Sequence, residues 1–382
     1  MALIQYINRV QFGAGALAEL PAELALVGIT RPLVVTDAGV AAAGLLARLL
    51  ALLPSGVAVH ATVPPNPNEA AVQAATAAYR GGGCDGVVGL GGGSPLDLAK
   101  AVALSATHDA TQLARYAVVE GGLGRITAAA APVIAVPTTA GTGSEVSRGA
   151  LIVMADGRKL SIGSPHLIPR AAICDPELTL GLPPGLTAAT GMDAMAHCIE
   201  TLCSPRFNPV ADAIARDGLR RAWAALPRAV EDGSDADARR EMMLASMMGA
   251  LAFPKGLGAV HALSHALGAL AVSPHHGTLN ALLLPGVLRF NAPVLGAVLP
   301  VLAEAMGLPP GADAAALADA IAALNQRLGL PPGLAAMGIT EADLAPAAAA
   351  ALRDHHHLTN PRTAREDDYR AILHSAFHGT AS

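Results

Sequence analysis

A chain of 382 residues exceeds one compact core of ordinary size, so two domains are expected. Hydrophobic residues make up 52% of it and charged residues only 14%, which excludes extensive disorder. The net charge is −5 and no Lys/Arg cluster exists, so a nucleic-acid-binding role has no footing.

In chain order, the opening segment "MALIQYINRVQFGAG" lacks the charged-then-apolar layout of a signal peptide. The run "AAAGLLARLLALL" is interrupted by Arg48 and stopped at Pro54, too short to span a bilayer, and no membrane association is expected. Val- and Ile-rich segments at 31–36, 57–63, 85–90 and 131–137 predict short buried strands. Helices are predicted between them, near 39–53, 69–80 and 95–107. That alternation implies βαβ units and a parallel sheet covered on both faces. "GALIVM" and "RKLSIG", joined through "ADG", predict a hairpin, and "RAAICD" a final strand. From about residue 186 onward the periodicity is helical almost throughout. The Gly/Pro cluster at 181–185 sets the boundary: an α/β domain over 1–180 and an all-α domain over 181–382. Four cysteines (84, 174, 198, 203) form no CxxC pair, as expected of reduced thiols in a cytoplasmic protein.

Two loops in the first half carry chemistry. "VVGLGGGSPLDLAK" runs from a strand through Gly91, Gly92, Gly93 and Ser94 into a helix. Glycines let the backbone approach a phosphate, and the helix start offers unpaired N–H groups. An ordinary strand–helix turn fits the triplet equally well. "VPTTAGTGSEVS" again follows a strand and clusters Thr138, Thr139, Thr142 and Ser144, which suits either a ligand crevice or a solvated turn. Asp37, directly after the strand at 32–36, is placed to accept hydrogen bonds from ribose hydroxyls and to repel a 2′-phosphate, so NAD is the expected dinucleotide.

The second half holds a different constellation. In "GMDAMAHCIE", Asp193 and His197 stand four residues apart and share one helix face. They would satisfy one another as a structural pair. Yet "GLGAVHALSHALGALAVSPHHGTLN" adds His261 and His265, again four apart, then His275 and His276. Two or three imidazoles with one carboxylate make a site for Fe²⁺ or Zn²⁺, where a cation would act as a Lewis acid on an alcohol or carbonyl oxygen. A further cluster, "DHHHLTNPR" (354–362), reads as a surface or cleft-rim feature, because it lacks i,i+4 spacing to the others.

At this point the sequence resembles the iron-containing (group III) alcohol dehydrogenase family. The resemblance runs through "FGAGAL", "VVTDAG", "NPNEAAV", "GLGGGSPLDLAK", "VPTTAGTGSEVS", "DPELT", "GMDAMAHCIE", "HALSHALG", "HHGTLNALLLP" and "TNPR". It implies a Rossmann-like N-terminal domain and a helical C-terminal domain, in the two-domain arrangement of dehydroquinate synthase. It also implies NAD(P)H-dependent interconversion of small alcohols and aldehydes, with Fe²⁺ or alternatively Zn²⁺, in a homodimer. By position, Asp193, His197, His261 and one of His275 or His276 would hold the metal, and His265 would lie beside it as a proton relay. Gly92, Gly93, Ser94 and Asp97 match the pyrophosphate loop. Thr138, Thr139, Thr142 and Ser144 would lie near the pyrophosphate and ribose, Lys159 near the nicotinamide ribose, and Asp37 and Asn66 near the adenosine. The extra residue between His265 and Gly277 makes the last ligand ambiguous. A loop absorbs an insertion more easily than a helix, which favours His276. The alternatives are a lyase of the dehydroquinate synthase type and a non-catalytic nucleotide- or metal-binding protein.

Overall fold

Six of the strands hydrogen-bond into one sheet, and all of them run parallel. The structure, a computed structural model, describes Ile4, Tyr6 and residues 8–379. Contacts divide the chain into two units, an α/β unit (6–139 with 143–182) and a helical unit (140–142 and from Pro183 onward).

The strands are β1 (Val10–Phe12), β2 (Pro32–Val35), β3 (Ala58–His60), β4 (Gly86–Gly91), β5 (Val133–Pro137), β6 (Gly149–Val153), β7 (Lys159–Gly163) and β8 (Ala171–Cys174). The sheet order is β1-β8-β5-β4-β2-β3, and β6 and β7 form a separate antiparallel hairpin. Alternation along the strands fills both faces. Leu33, Val35 and Val87 enter one core with Leu98 and Val102, whereas Val34, Val88, Leu90, Ile134 and Val136 enter the other.

The helices of this unit are α1 (Leu20–Val27), α2 (Ala38–Ala42), α3 (Leu45–Leu50), α4 (Glu69–Gly81) and α5 (Gly93–Ser105). Asp37 caps α2 through a hydrogen bond from the Val40 N–H, 2.8 Å, and Asn68 caps α4 in the same way. Two details depart from expectation. The helix predicted over 39–53 is broken in two, because Gly44 sits at φ +79° and interrupts the right-handed turn. Strand β1 has no counterpart among the predicted strands; three residues are too few to show a period.

The helical unit comprises α6 (Pro184–Cys203), α7 (Pro209–Glu231), α8 (Ala236–Ala252), α9 (Ala259–Gly268), α10 (His276–Asn291), α11 (Leu299–Ala305), α12 (Ala314–Arg327), α13 (Glu341–Ala351) and α14 (Glu366–His378). Helix α6 lies at its centre, packed against α7, α8 and α10 and buried from Thr187 to Cys203. Close approach depends on small residues. At Gly277 a Cβ would fall 2.2 Å from the Ala189 carbonyl oxygen, so only glycine lets the start of α10 meet α6. Among the described residues, no single helix is long and apolar enough to cross a membrane. The four cysteines are free, and burial pushes the Cys198 and Cys203 thiols up to about 12.

Candidate metal centre and dinucleotide loops

Helix α6 sets Asp193, His197 and Glu200 on one stripe, at spacings of four and three residues. Helix α9 contributes His261 and His265, and α10 contributes His276 at its first position and Asn280 one turn later. From the Asp193 Oδ1, the distances to the Nε2 atoms of His197, His261 and His276 are 3.8, 3.7 and 3.6 Å. Ligands about 2.1 Å from a shared cation in tetrahedral array stand about 3.4 Å apart. Each imidazole nitrogen thus stands from the carboxylate oxygen at about the separation of neighbouring ligands, and ligand atoms of Asp193, His197 and His261 all lie within 4.8 Å of one another. Asp193, His197 and His261 are buried, and His276 is 18% exposed. His275 is exposed instead: it stands at the N-cap of α10, its Nδ1 3.4 Å from the Thr278 hydroxyl.

Two further residues support the cage. Glu200 takes the His261 Nδ1 at 2.5 Å and the Val260 N–H at 2.8 Å. It thereby turns the His261 Nε2 toward Asp193, the usual arrangement of a carboxylate behind a metal-binding imidazole. Asn280 donates to the Asp193 Oδ1 at 2.6 Å, while its own Oδ1 is buried without a partner. Turning that amide over would aim an oxygen into the cage instead of a nitrogen, and an orphaned acceptor beside four converging donor atoms fits a cation.

The charges agree. Burial opposes ionisation of Asp193, but His197 and His276, with a hydrogen bond from His261, outweigh it and hold the carboxyl well below its usual range. Burial drives His197 down to about 4, with Asp193 only partly opposing. For His261 burial is outweighed by hydrogen bonds to Asp193 and Glu200, which raise it to about 9. A cation at the centre would take the place of the His261 proton.

The cluster expected at the surface or a cleft rim is drawn inward. The Asp354 Oδ2 lies 2.9 Å from the His265 Nδ1, and its Oδ1 accepts the His356 N–H at 2.8 Å, capping a short 3-10 turn. The His265 and His356 rings are 5.3 Å apart. Sequence spacing missed this because the turn reaches α9 by tertiary packing, which i,i+4 counting does not register. Burial opposes the charge on Asp354, but His265 wins and holds the carboxyl low. Burial, reinforced by the His355 charge, pushes His356 well below its ordinary value.

In the α/β unit, the glycine and threonine loops leave the C-terminal ends of adjacent strands β4 and β5. The Thr138 N–H bonds to the Gly91 carbonyl, and a Cβ on Gly92 would stand 3.2 Å from the Thr139 side chain. Gly93 and Ser94 begin α5. Asp97 and Ser144 belong to a polar network: Asp97 accepts from the Ser144 hydroxyl (2.6 Å) and the Leu151 N–H (2.9 Å). Lys100 donates to Ser144 (2.8 Å), Ser147 (3.2 Å) and the Gly149 carbonyl (2.7 Å). This network ties α5 to β6. Lys159 donates to Asn66 at 2.6 Å, and Asn66 has φ +51°. Thr142 falls in the short segment that groups with the helical unit. Glu200 and Asn280 were not singled out in the sequence, and Asp354 and His356 only as part of the cluster at 354–362 read as a surface or cleft-rim feature. For the first two a signal was there: Glu200 continues the Asp193 stripe, and Asn280 follows His276 by four.

A parallel α/β sheet bearing a glycine-rich strand–helix loop, with a carboxylate–histidine cage in the same chain, is the make-up of a metal-dependent dehydrogenase. Residues 8–176 match the iron-containing alcohol dehydrogenase family and 187–377 match the Fe-containing alcohol dehydrogenase family, C-terminal part. The chain is 54% identical to a 4-hydroxybutyrate dehydrogenase of Cupriavidus necator, covering 98% of this chain and 99% of the relative. It is 38% identical to a 1,3-propanediol dehydrogenase of Klebsiella pneumoniae, covering 96% of each. A crystal structure of a 1,3-propanediol oxidoreductase aligns with TM-score 0.90 at 36% identity, over 98% of this chain and 100% of the other. The sulfoacetaldehyde reductase of Bifidobacterium kashiwanohense, solved in complex with NAD+, aligns with TM-score 0.86 at 31% identity over the whole of both chains. The chain belongs to the iron-containing alcohol dehydrogenase family and is an alcohol oxidoreductase. The lyase alternative is not favoured.

Proposed function

We propose that this enzyme interconverts a small ω-hydroxy acid and its semialdehyde, with NAD(H) as hydride carrier and Fe²⁺ as its metal, Zn²⁺ being the alternative. The approach of His197, His261 and His276 to the Asp193 carboxylate carries the reading of the chemistry. The 54% identity to a 4-hydroxybutyrate dehydrogenase supports the substrate class. When bound, the cation supplies a Lewis acid for the alcohol or carbonyl oxygen. Asp193, His197, His261 and His276 hold it, Glu200 orients His261, and His275 stays outside the ligand set. His265 has its Nδ1 engaged by Asp354, which leaves Nε2 to take the hydroxyl proton and pass it outward.

The α/β unit would hold the dinucleotide, with Gly92, Gly93, Ser94, Thr138 and Thr139 at the phosphates and Thr142 near the ribose. Asn66 and Lys159, already paired, would meet the ribose and adenosine together. Asp97 and Ser144 shape that loop from behind through the Lys100 network. A homodimer working in the cytoplasm completes the reading. The test is anaerobic reconstitution of metal-free protein with Fe²⁺ or Zn²⁺, followed by NAD+ reduction with 4-hydroxybutyrate and with 1,3-propanediol. A higher kcat/KM for 4-hydroxybutyrate is expected, and a preference for the diol would overturn the substrate assignment.

A further inference from the structure

We propose that His265, Asp354 and His356 form a second divalent-cation site, separate from the Asp193 cage. One ligand atom from each lies within 4.8 Å of the other two. The His265 Nδ1 and the Asp354 Oδ2 are 2.9 Å apart. Two adjacent ligands about 2.1 Å from one octahedral cation stand about 3 Å apart, so this pair already has the spacing of neighbouring ligands. Asp354 is 14% exposed, and its other oxygen is fixed by the His356 N–H, so the carboxylate is held in place before any ion arrives. Two imidazoles and one carboxylate, with water completing the coordination, suit Zn²⁺, Fe²⁺ or Mn²⁺.

The two groups share no residue. The His261 ring is 5.7 Å from His356 and 6.0 Å from His265, so the sites are neighbours. They differ in strength, because the Asp193 cage offers three imidazoles with its carboxylate and the second group only two. The first fills at lower metal concentration. Filling the second has a chemical consequence, which rests on the proton role proposed for His265. A cation on Nδ1 takes the lone pair there, so the proton shared with Asp354 moves to Nε2 and the ring stays neutral. That nitrogen can no longer accept the hydroxyl proton, so excess metal inhibits turnover.

Metal-free protein dialysed against rising Zn²⁺ at neutral pH, with bound metal measured directly, tests the site without reference to activity. Wild type is expected to bind two equivalents in succession. His356→Ala and Asp354→Asn are each expected to keep the first and lose the second. Asn retains the oxygen that caps the turn, so the second variant separates loss of a ligand from loss of local structure. One equivalent in wild type overturns the proposal. So does a second equivalent that survives in both variants, or loss of both equivalents in either. The inhibition is read separately, as turnover of the one-equivalent enzyme before and after Zn²⁺ is added. Two equivalents without inhibition would leave the site standing and refute the role of His265 instead.

Discussion

Glu200 closes the stretch "GMDAMAHCIE", and its carboxylate does for His261 what no metal ligand can do for itself. It fixes which ring nitrogen faces Asp193, at 2.5 Å from the other one. Glu200→Gln keeps the shape and removes the charge, so metal affinity should fall roughly 10–100-fold while NADH binding is unchanged. Dialysis against graded Fe²⁺ with parallel NADH fluorescence measures both; unaltered metal affinity would reduce Glu200 to a helix contact. Glu145 raises a different issue at the same scale. It is buried at 2% exposure, and burial lifts its carboxyl to about 7 from 4.5. Between those values the native state holds a proton that the unfolded state has released, so the stability due to Glu145 is present at low pH and lost as pH rises to about 7. Glu145→Gln has no such loss. The variant's unfolding free energy should gain on wild type by up to about 3 kcal/mol between pH 4.5 and 8. Denaturant titrations at several pH values check this, and a difference that stays flat or shrinks would contradict it.

At the scale of elements, the site is a matter of how closely three helices meet. The contact at Gly277 brings α10 onto α6 and sets the His276 Nε2 3.6 Å from the Asp193 Oδ1. Gly277→Ala should destabilise the protein by more than about 2 kcal/mol and lower metal content, because the clash is with backbone that has no rotamer to change. Gly286→Ala on the same helix meets the Ile372 side chain at 3.4 Å and its carbonyl at 3.9 Å, each an ordinary contact, and should leave stability and metal content unchanged. Equal behaviour of the two variants in melting and metal content would refute the close-approach argument. Legibility in the sequence follows the same division. Strands β2, β4, β5 and β8 were readable because buried Val and Ile runs ended at turn residues. The pairs 193/197 and 261/265 were readable because helical spacing alone puts them on one face. Asp354 and His356 were not, since a 3-10 turn far along the chain reaches His265 only through packing. The break at Gly44 was also missed: Ala and Leu on both sides keep an apolar helical texture across it.

For the whole molecule, separate tasks fall to two units, each with its own buried apolar residues. Asp37, at the end of β2, should set the preference for NAD. Asp37→Gly removes its carboxylate and costs the α2 cap only a few tenths of a kcal/mol. The ratio of kcat/KM for NAD over NADP should then fall at least roughly tenfold, in line with a like-charge clash of about 2 kcal/mol. A ratio unchanged by the substitution would show that other groups choose the cofactor. Asp193, His197, His261 and His276 are expected to bind the metal, and His275 is not. Bound metal measured in the five single alanine variants checks that ligand set, with NADH binding as the control that the α/β unit is intact. Loss of the first, tighter-bound equivalent and of activity is expected in the first four, and retention of that equivalent in His275→Ala. Stoichiometric metal with near-normal kcat in Asp193→Ala or His197→Ala, or metal lost from His275→Ala but kept by His276→Ala, would contradict it.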